Sequence, residues 1–569
     1  MQTTATKPAE QPFTQRNRQY YARRLDSLRQ AFAPWKTAGQ ELAEVITPWR
    51  GKFSVDDKRN DADRRAHKIS NSTPQLAART LASGMLAGFT SPARPWFRLI
   101  TADKKLYDIA AVKTWLHDVE IEMQRVFARS NLYNALPVAY EEMGVFGTGA
   151  ILALQDYETV IRFYVMPYGT YFIATNERGV VDTLYHECNK TVRQLARMFG
   201  KENLTDTSRA QLEKNPDATV KICLSIEPNE NYNKRLVSVD AMPFVACWWE
   251  QGSGGEKLLR KSGFKQFPCF VPRWDVSGDD DYGRGVGHVV RGDVLELQLA
   301  AKRRSQLRDK IVNPPLSAPS TLRNKRISQM HGDITYYDAT GNAPLIKPLV
   351  EVNPQAGVVV RDDIAELEQR INRGFYVDLF QMLTMSDRRE ITAREVEERH
   401  AEKLLMLAPV LERLQDELLD KLIDRTYNLM MEQGLLPPIP PELRGVSLKV
   451  EYVSILSQAQ RSVGMAGLEH LVAVAGNISQ LTGSAEVFDK IDVDQIIDEA
   501  AEMLSSSPRV VRSDVEVQKL RAGRAQQQQQ MQQMQQQNAA AQTAHTMSQT
   551  KTADGKSALD LAADAAGEQ

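Results

Sequence analysis

Apolar positions recur with a helical period over much of the chain. From about Thr14 to Ile46, residues Leu25, Leu28, Phe32 and Trp35 fall at steps of three and four, the spacing of one buried helix face, and Pro48 stops the pattern. A charged loop, Gly51 to Lys68, leads to Thr73-Pro74, which reads as an N-cap followed by proline at the first helical position. The helix they open is rich in small side chains (Ala77, Ala78, Ala82, Ser83, Gly84, Ala87) that permit another helix to come close, and Gly88 ends it. Between about Leu99 and Trp274 the texture is mixed. A helix around Val112 to Ala128 precedes alternating runs such as Ile161–Val165 and Val220–Leu224. Turn signals such as Asn176-Glu177-Arg178-Gly179 predict the hairpins of an antiparallel sheet.

From Val286 the helical period returns. Val290, Val294, Leu297 and Ala301 make one stripe, and the pattern persists to Val312, roughly 40 Å of helix. Asn313-Pro314-Pro315 ends it, because a residue before proline is pushed out of the α region. Leu316 to Val350 carries short strand-like runs, among them Asp333-Ile334-Thr335-Tyr336-Tyr337. A second helix, from near Asp362, places Ile364, Leu367, Ile371 and Phe375 on one face. The pattern predicts two long rods joined at one end by a small β knob.

A polar loop, Met382 to Ile391, then precedes Thr392-Ala393-Arg394-Glu395, a capping box in which the Thr392 hydroxyl and Glu395 carboxylate satisfy each other's backbone amides. The following helix is predicted to run to about Gln433, with Leu404, Leu407, Leu411, Leu414 and Leu418 as a packing seam and a kink at Pro409. Gly434 and Pro437-Pro438 close it. Val446 to Leu456 alternates like a strand, and Gln458 to about Ser505 is helical and apolar. Past Arg524 the chain becomes glutamine-rich. That tail has little to bury and is expected to be mobile, although its start can continue a helix.

Composition narrows the class. The 569 residues, three to four domains' worth of chain, are 42 % apolar and 25 % charged, ordinary globular usage that excludes a disordered or collagen-like chain. Lys+Arg number 71 against 72 Asp+Glu, which argues against coating nucleic acid by bulk charge and leaves only local contact. Four scattered cysteines without a CxxC pair read as reduced thiols. Met1 to Gln15 is polar, unlike a secretory signal, and the nearly apolar stretch Val145 to Leu154 is too short to span a bilayer. A soluble protein kept on the cytoplasmic side, with no membrane partner, is expected.

Chemical motifs are sparse. Gly555-Lys556-Ser557 resembles the end of a phosphate loop, but Thr550 stands where its first glycine belongs. Gly283-Arg284-Gly285-Val286-Gly287 opens a helix and could receive an anion, yet it reads first as a turn feeding the rod. Asp279, Asp280 and Asp281 could hold a hard cation, yet read first as a solvated loop. No histidine has metal spacing, and no catalytic nucleophile arrangement, metal site or cofactor site is predicted. The basic cluster Lys302, Arg303, Arg304, Arg308 and Lys310 lies on the first rod. From Val286 to Arg326 nine Lys+Arg face three Asp+Glu, a surplus of six positive charges. Two readings stay open: ion pairing with an acidic helix or subunit, or contact with nucleic acid or an acidic partner.

Several stretches together resemble the head-to-tail connecting (portal) proteins of short-tailed bacteriophages. They are Thr90-Ser91-Pro92-Ala93-Arg94-Pro95-Trp96-Phe97-Arg98-Leu99; Ser130-Asn131-Leu132-Tyr133; Val145-Phe146-Gly147-Thr148-Gly149-Ala150; Asp281-Tyr282-Gly283-Arg284-Gly285; and Asn313-Pro314-Pro315-Leu316. Thr392 to Arg399, Pro409 to Leu414 and Glu451 to Arg461 complete a collinear set.

The resemblance implies an α+β, helix-rich portal fold with wing, stem, clip and crown, assembled as a ring of about twelve copies around a channel for double-stranded DNA. It implies no enzyme activity. By that layout, residues 1–285 form the wing region, 286–312 the first stem helix, 313–350 the clip, and 351–380 the second stem helix. Residues 381–391 form the tunnel loop, 392–456 the long kinked helix and a wing strand, 457–524 the crown, and 525–569 the tail. The channel constriction is expected among Gln381, Met382, Thr384, Met385, Ser386, Arg388 and Arg389. Leu316, Arg323, Asn324, Lys325 and Arg326 are expected to dock the terminase large subunit and later the tail adaptor. Major capsid, scaffolding and internal core proteins are further implied partners, with assembly in the host cytoplasm and residence at one capsid vertex of the virion. Two other classes stay open: a metal-dependent nucleic-acid-processing enzyme using Asp279–Asp281, and a helical scaffold without a channel.

Overall fold

A 28-residue helix, α1 (Arg18–Val45), buries Tyr21, Leu25, Leu28 and Phe32, the stripe read from the sequence. The computed structural model to which it belongs describes residues 18–53, 68–107, 109–234, 238–252, 257–312, 316–317, 347–348, 354–385, 407–443, 445, 448–452, 471–478, 492, 494–497, 500 and 514–549. The chain divides into two compact units. The first comprises Met1–Leu99, Val119–Pro438 and Val450–Ala459; the second comprises Ile100–Asp118, Ile439–Lys449 and Gln460–Gln569.

In the first unit α2 (Thr73–Phe89) starts one residue earlier than its expected cap. Ser72 is the N-cap, and the Asn71 side chain accepts from the Thr73 amide at 2.8 Å. In chain order strand β1 (Phe97–Thr101), the short α3 (Lys104–Tyr107, in the second unit), α4 (Ala110–Arg129, divided between the units at Asp118) and α5 (Leu132–Phe146) follow. Next come β2 (Ile151–Asp156) and β3 (Val160–Val165), then β4 (Tyr171–Thr175) and β5 (Val181–Thr191). Helices α6 (Val192–Phe199) and α7 (Asp206–Lys214) cross to β6 (Thr219–Pro228), β7 (Phe244–Glu250), β8 (Arg260–Phe264) and β9 (Cys269–Phe270).

The main sheet is an antiparallel meander in the order β4-β5-β6-β7-β8; a smaller sheet runs β3-β2-β9. The predicted turn joins β4 to β5. Gly179 takes φ 71°, and the Asn176 side chain accepts from the amides of Arg178 and Val180. An aromatic core welds α1, α5 and the sheets: Phe32, Phe53, Phe146, Tyr168 and Tyr282 are each buried, with Phe146 stacked on Tyr168 at 4.8 Å between centroids.

The rods follow. What the periodicity joins into one helix is a short α8 (Val286–Val289) leading into α9 (Arg291–Val312). At its far end β10 (Leu316–Ser317) pairs antiparallel with β11 (Lys347–Pro348), so the two strands that bound the knob meet. The return rod, α10 (Pro354–Gly374), begins eight residues before Asp362, where the periodicity first becomes visible. It ends at a sharp break in which Tyr376 takes φ 55°, and α11 (Val377–Met385) leaves in a new direction.

The last long element of this unit starts, among described residues, at Ala408, with Pro409 in its first turn. Its irregularity is a π-helical turn, Gln415–Leu419, that is wider than the predicted proline kink, before α-helix resumes over Asp420–Glu432. Strand β12 (Leu448–Tyr452) forms a two-stranded sheet with β1.

The second unit contains helical residues 471–478 and 494–497 and a 36-residue helix, Asp514–Gln549. This helix extends well past Arg524, where a mobile tail was expected. Its described side chains from Gln518 to Ala539 are exposed, and Arg521 clamps the Asp494 carboxylate with two bonds of 2.7 Å.

Within α5, Glu141 and Glu142 are buried side by side. Arg50 pairs with Glu141 at 2.7 Å, whereas Glu142 has the Tyr168 amide at 2.9 Å. Burial pushes the Glu142 carboxyl up to about 8, against a weaker opposing pull from Arg50. Between the ordinary value of 4.5 and about 8 the folded state keeps a proton that the unfolded chain has released, so stability falls as pH rises through that window. Glu142→Gln, which keeps the acceptor, should therefore gain on the native chain by about 1–3 kcal/mol between about pH 5 and about pH 8. Urea unfolding at both pH values measures this; parallel profiles would refute it.

Candidate functional site

Two of the stretches that carried the family resemblance meet at the root of the first rod. Gly147 ends α5 with φ 86°, and a Cβ there would lie 2.1 Å from the Gly283 carbonyl oxygen. On the other side, a Cβ on Gly285 would lie 2.5 Å from the Gly144 oxygen, and one on Gly287 would lie 2.3 Å from the Val145 oxygen. Backbone thus lies directly on backbone. Hydrogen bonds fasten the joint: Trp274 N–H to the Gly147 oxygen at 2.8 Å, Gly283 N–H to Thr148 Oγ1 at 2.9 Å, and Gly149 N–H to the Pro272 oxygen at 3.0 Å. The glycine-rich turn is therefore a structural joint feeding the rod.

The acidic loop beside it serves the same joint. Asp281 accepts from the Thr175 amide and hydroxyl at 3.0 and 2.6 Å, and Asp280 pairs with Arg284 at 3.2 Å. Among the described residues no group of three or more His, Cys, Asp or Glu could hold a metal ion.

Arg273 locks the joint to the π turn. Its guanidinium reaches Glu417 through Nε at 3.0 Å and Nη2 at 2.5 Å, while its own backbone N–H donates to the second Glu417 oxygen at 2.8 Å. Both side chains are nearly buried, 6 % and 14 % exposed. An α-helical turn widened by one residue gives Glu417 its place in this contact. The sequence reading missed this pair. The available signal was an arginine inside the otherwise apolar run Cys269–Trp274, and an acid inside the leucine seam.

The rods themselves are tied three times. Gly374 lies so close to α8 and its flank that a Cβ would stand 2.3 Å from Val290 Cγ1. Arg370 pairs with Asp293 at 3.4 Å. Buried Gln298 accepts from the Ser70 and Asn71 amides at 2.7 and 2.9 Å, while the Asn71 side chain donates to Glu368 at 2.8 Å. Beyond Gln298 the first rod leaves this support. Every residue from Lys302 to Val312 except Leu307 is exposed, with Leu299, Ile311 and Val312 at 48 %, 52 % and 72 %.

Lys302, Arg303, Arg304, Arg308 and Lys310 all lie on that exposed half and make no ion pair among the described residues. The second rod is fixed at its other end by the close approach that small residues in α2 permit. Phe380 of α11 fills the space over Gly84, where a Cβ would fall 2.1 Å from its ring.

That packing corrects the predicted tunnel loop. Gln381, Met382, Thr384 and Met385 belong to α11, because buried Val377, Leu379 and Phe380 hold this segment as helix; the break between helices lies earlier, at Tyr376. Ser386, Arg388, Arg389 and the capping pair Thr392 and Glu395 lie outside the described residues, as do Arg323, Asn324, Lys325 and Arg326. Leu316 is described and sits in β10, opposite Pro348.

Comparison with known proteins finds one family along nearly the whole chain. Residues 18–511 match the family described as bacteriophage head to tail connecting protein. The portal protein of Salmonella phage epsilon15 is 41 % identical over 529 residues, covering 93 % of this chain and 94 % of that one. The probable portal protein of Bordetella phage BPP-1 is 38 % identical over 549 residues, covering 96 % and 98 %.

The Arg273–Glu417 contact is the anchor most open to test. Removing one member of a buried pair strands the other, so Glu417→Ala should lose about 3–5 kcal/mol of unfolding free energy. Denaturant unfolding reads it, and a loss below about 1 kcal/mol, the scale of an exposed pair, would contradict the assignment.

Proposed function

Because the chain belongs to the bacteriophage head to tail connecting protein family, we propose that about twelve copies close into a ring whose rods surround a passage for double-stranded DNA. Its function is that of a head-to-tail connector, a structural component of the virion at the head–tail junction that works with capsid, terminase and tail. The observation that carries the ring is the outer half of α9. A helix that stands exposed in one copy, with apolar residues among its cations, is marginal alone and needs a neighbour to cover it.

In this reading the antiparallel sheets and their helices form the wing, α8 to α10 the stem, and residues 313–350 the clip. The tunnel constriction begins at the end of α11 and continues through Arg389, and the second unit supplies the crown. The channel exerts its effect by position and charge. Duplex DNA carries one negative charge per roughly 1.7 Å, and each neutralised phosphate adds a binding term, so a continuously basic wall would hold DNA in place. A chain with a net charge of −1 guides the duplex without trapping it, in both directions. Having no nucleotide motif, the chain is the stationary ring, and a terminase docked on the clip supplies the work. Assembly takes place in the host cytoplasm before the ring joins the capsid vertex.

Deleting Met385 to Arg389 should leave ring assembly intact while heads lose packaged or retained DNA, measured as the DNA content of purified heads; normal content would refute the constriction. Reversing Arg323, Lys325 and Arg326 to glutamate should weaken binding of the terminase large subunit in a pull-down with assembled rings, and unchanged binding would remove the clip from that role.

A further inference from the structure

The two rods carry opposite charge on opposite outer sides, at the same height. Between Lys302 and Lys310 five Lys/Arg accompany one acid, Asp309; between Asp362 and Glu368 four acids occur with no Lys or Arg. The orientation follows from the helical period. Val290 meets Gly374 of the second rod, buried Val294 lies one turn further along the same stripe, and Arg303, nine residues beyond Val294 or about two and a half turns, falls on the far side. Ile371 is buried three residues before Gly374, which meets Val290 of the first rod, and Asp362 lies nine residues before Ile371, about two and a half turns, on the opposite face of α10.

The height follows from the ties between the rods. Val290 lies beside Gly374, Asp293 pairs with Arg370, and Gln298 reaches Glu368 through Asn71. Each step outward on α9 is matched by a step back on α10, so Arg303 is level with Asp362. Yet the two groups do not pair within one copy. Among the described residues, Asp362 pairs with its neighbour Arg361, at 3.2 Å, and Glu366 with Arg370, at 3.9 Å, all with side chains at least half exposed. Such pairs on one helix surface are worth little and leave both acids available.

We propose that the basic outer side of α9 in one copy docks against the acidic outer side of α10 in the next, so that Arg303, flanked by Lys302 and Lys310, forms a clasp between subunits and not a lining for DNA. This rests on the ring reading above. A surface that is basic on one side and acidic on the other meets its complement when copies are placed head to tail, which is the heterologous contact that a closed ring requires. Exposed Leu299 on the same basic side adds apolar area to the contact. The clasp also explains how a locally basic rod coexists with a channel that must release DNA: its cations are spent on the neighbour.

The test uses the full chain and reads the fraction of protein in rings by native mass measurement and negative-stain imaging. Lys302→Glu with Arg303→Glu should abolish rings, and so should Asp362→Lys with Glu366→Lys. One chain carrying all four changes should form rings again. An equal mixture of the two defective variants should do so as well, because each then presents a complement to the other, and this recovery shows that both variants are folded. The clasp is overturned if the basic-reversed variant forms rings like the native chain and loses only DNA retention. It is equally overturned if neither the four-fold variant nor the mixture recovers rings. Should the native chain itself form no rings, the connector reading fails first, and the clasp with it.

Discussion

The structure depends on one close approach. The backbone from Gly144 to Gly147 lies against the backbone from Gly283 to Gly287 so closely that a Cβ on Gly147, Gly283, Gly285 or Gly287 would fall within 2.5 Å of the facing backbone. This contact sets the angle at which the first rod leaves the body. Alpha-helix α9 then carries that angle outward over its 22 residues, roughly 33 Å. A rotation of about 10° at the root becomes a displacement of about 6 Å at the tip of a helix roughly 33 Å long. Repeated copies close into a ring only when each is set at the same angle to the next, so the accuracy of the glycine joint is a condition of assembly.

Other interactions support that joint. Arg273 carries it to the π turn through Glu417, Asp281 carries it to β4 through Thr175, and Tyr282 packs against Phe32 while its hydroxyl accepts from the Ile173 amide at 3.0 Å. At the other end of the rod pair, Phe380 over Gly84 and the left-handed Tyr376 fix where the second rod stops. The rods are thus clamped at the body, and at their far end β10 pairs with β11.

Much of this was legible in the amino-acid pattern. The stripes at Leu25–Phe32, Val290–Leu297 and Ile364–Phe375 are buried as their spacing requires, because a helix face needs only a period to declare itself. The hairpin turn at Asn176–Gly179 was equally plain, since only certain residues accept that geometry. The break at Tyr376 was not, because a left-handed tyrosine has no local signature and is imposed by the packing of Phe375 and Phe380 on either side. Nor was the π turn, whose cause is a partner 144 residues away in the chain. The Asp279–Asp281 run read first as a solvated loop, because sequence shows its charges and not the Thr175 amide and hydroxyl that bond to Asp281. Of the site, the cations of the first rod were visible as a cluster, but the side of the rod pair they occupy required three-dimensional neighbours.

The central claim is that the exposed rod is an unfinished surface, completed only by further copies of the same chain. The most direct measurement is the mass and shape of the purified native protein. The account predicts annular particles with an open axis and a mass that is a whole multiple of 64.0 kDa, near twelve-fold. A single 64.0 kDa species that persists at high concentration and low salt, with no annular particle under any solvent condition, would contradict it.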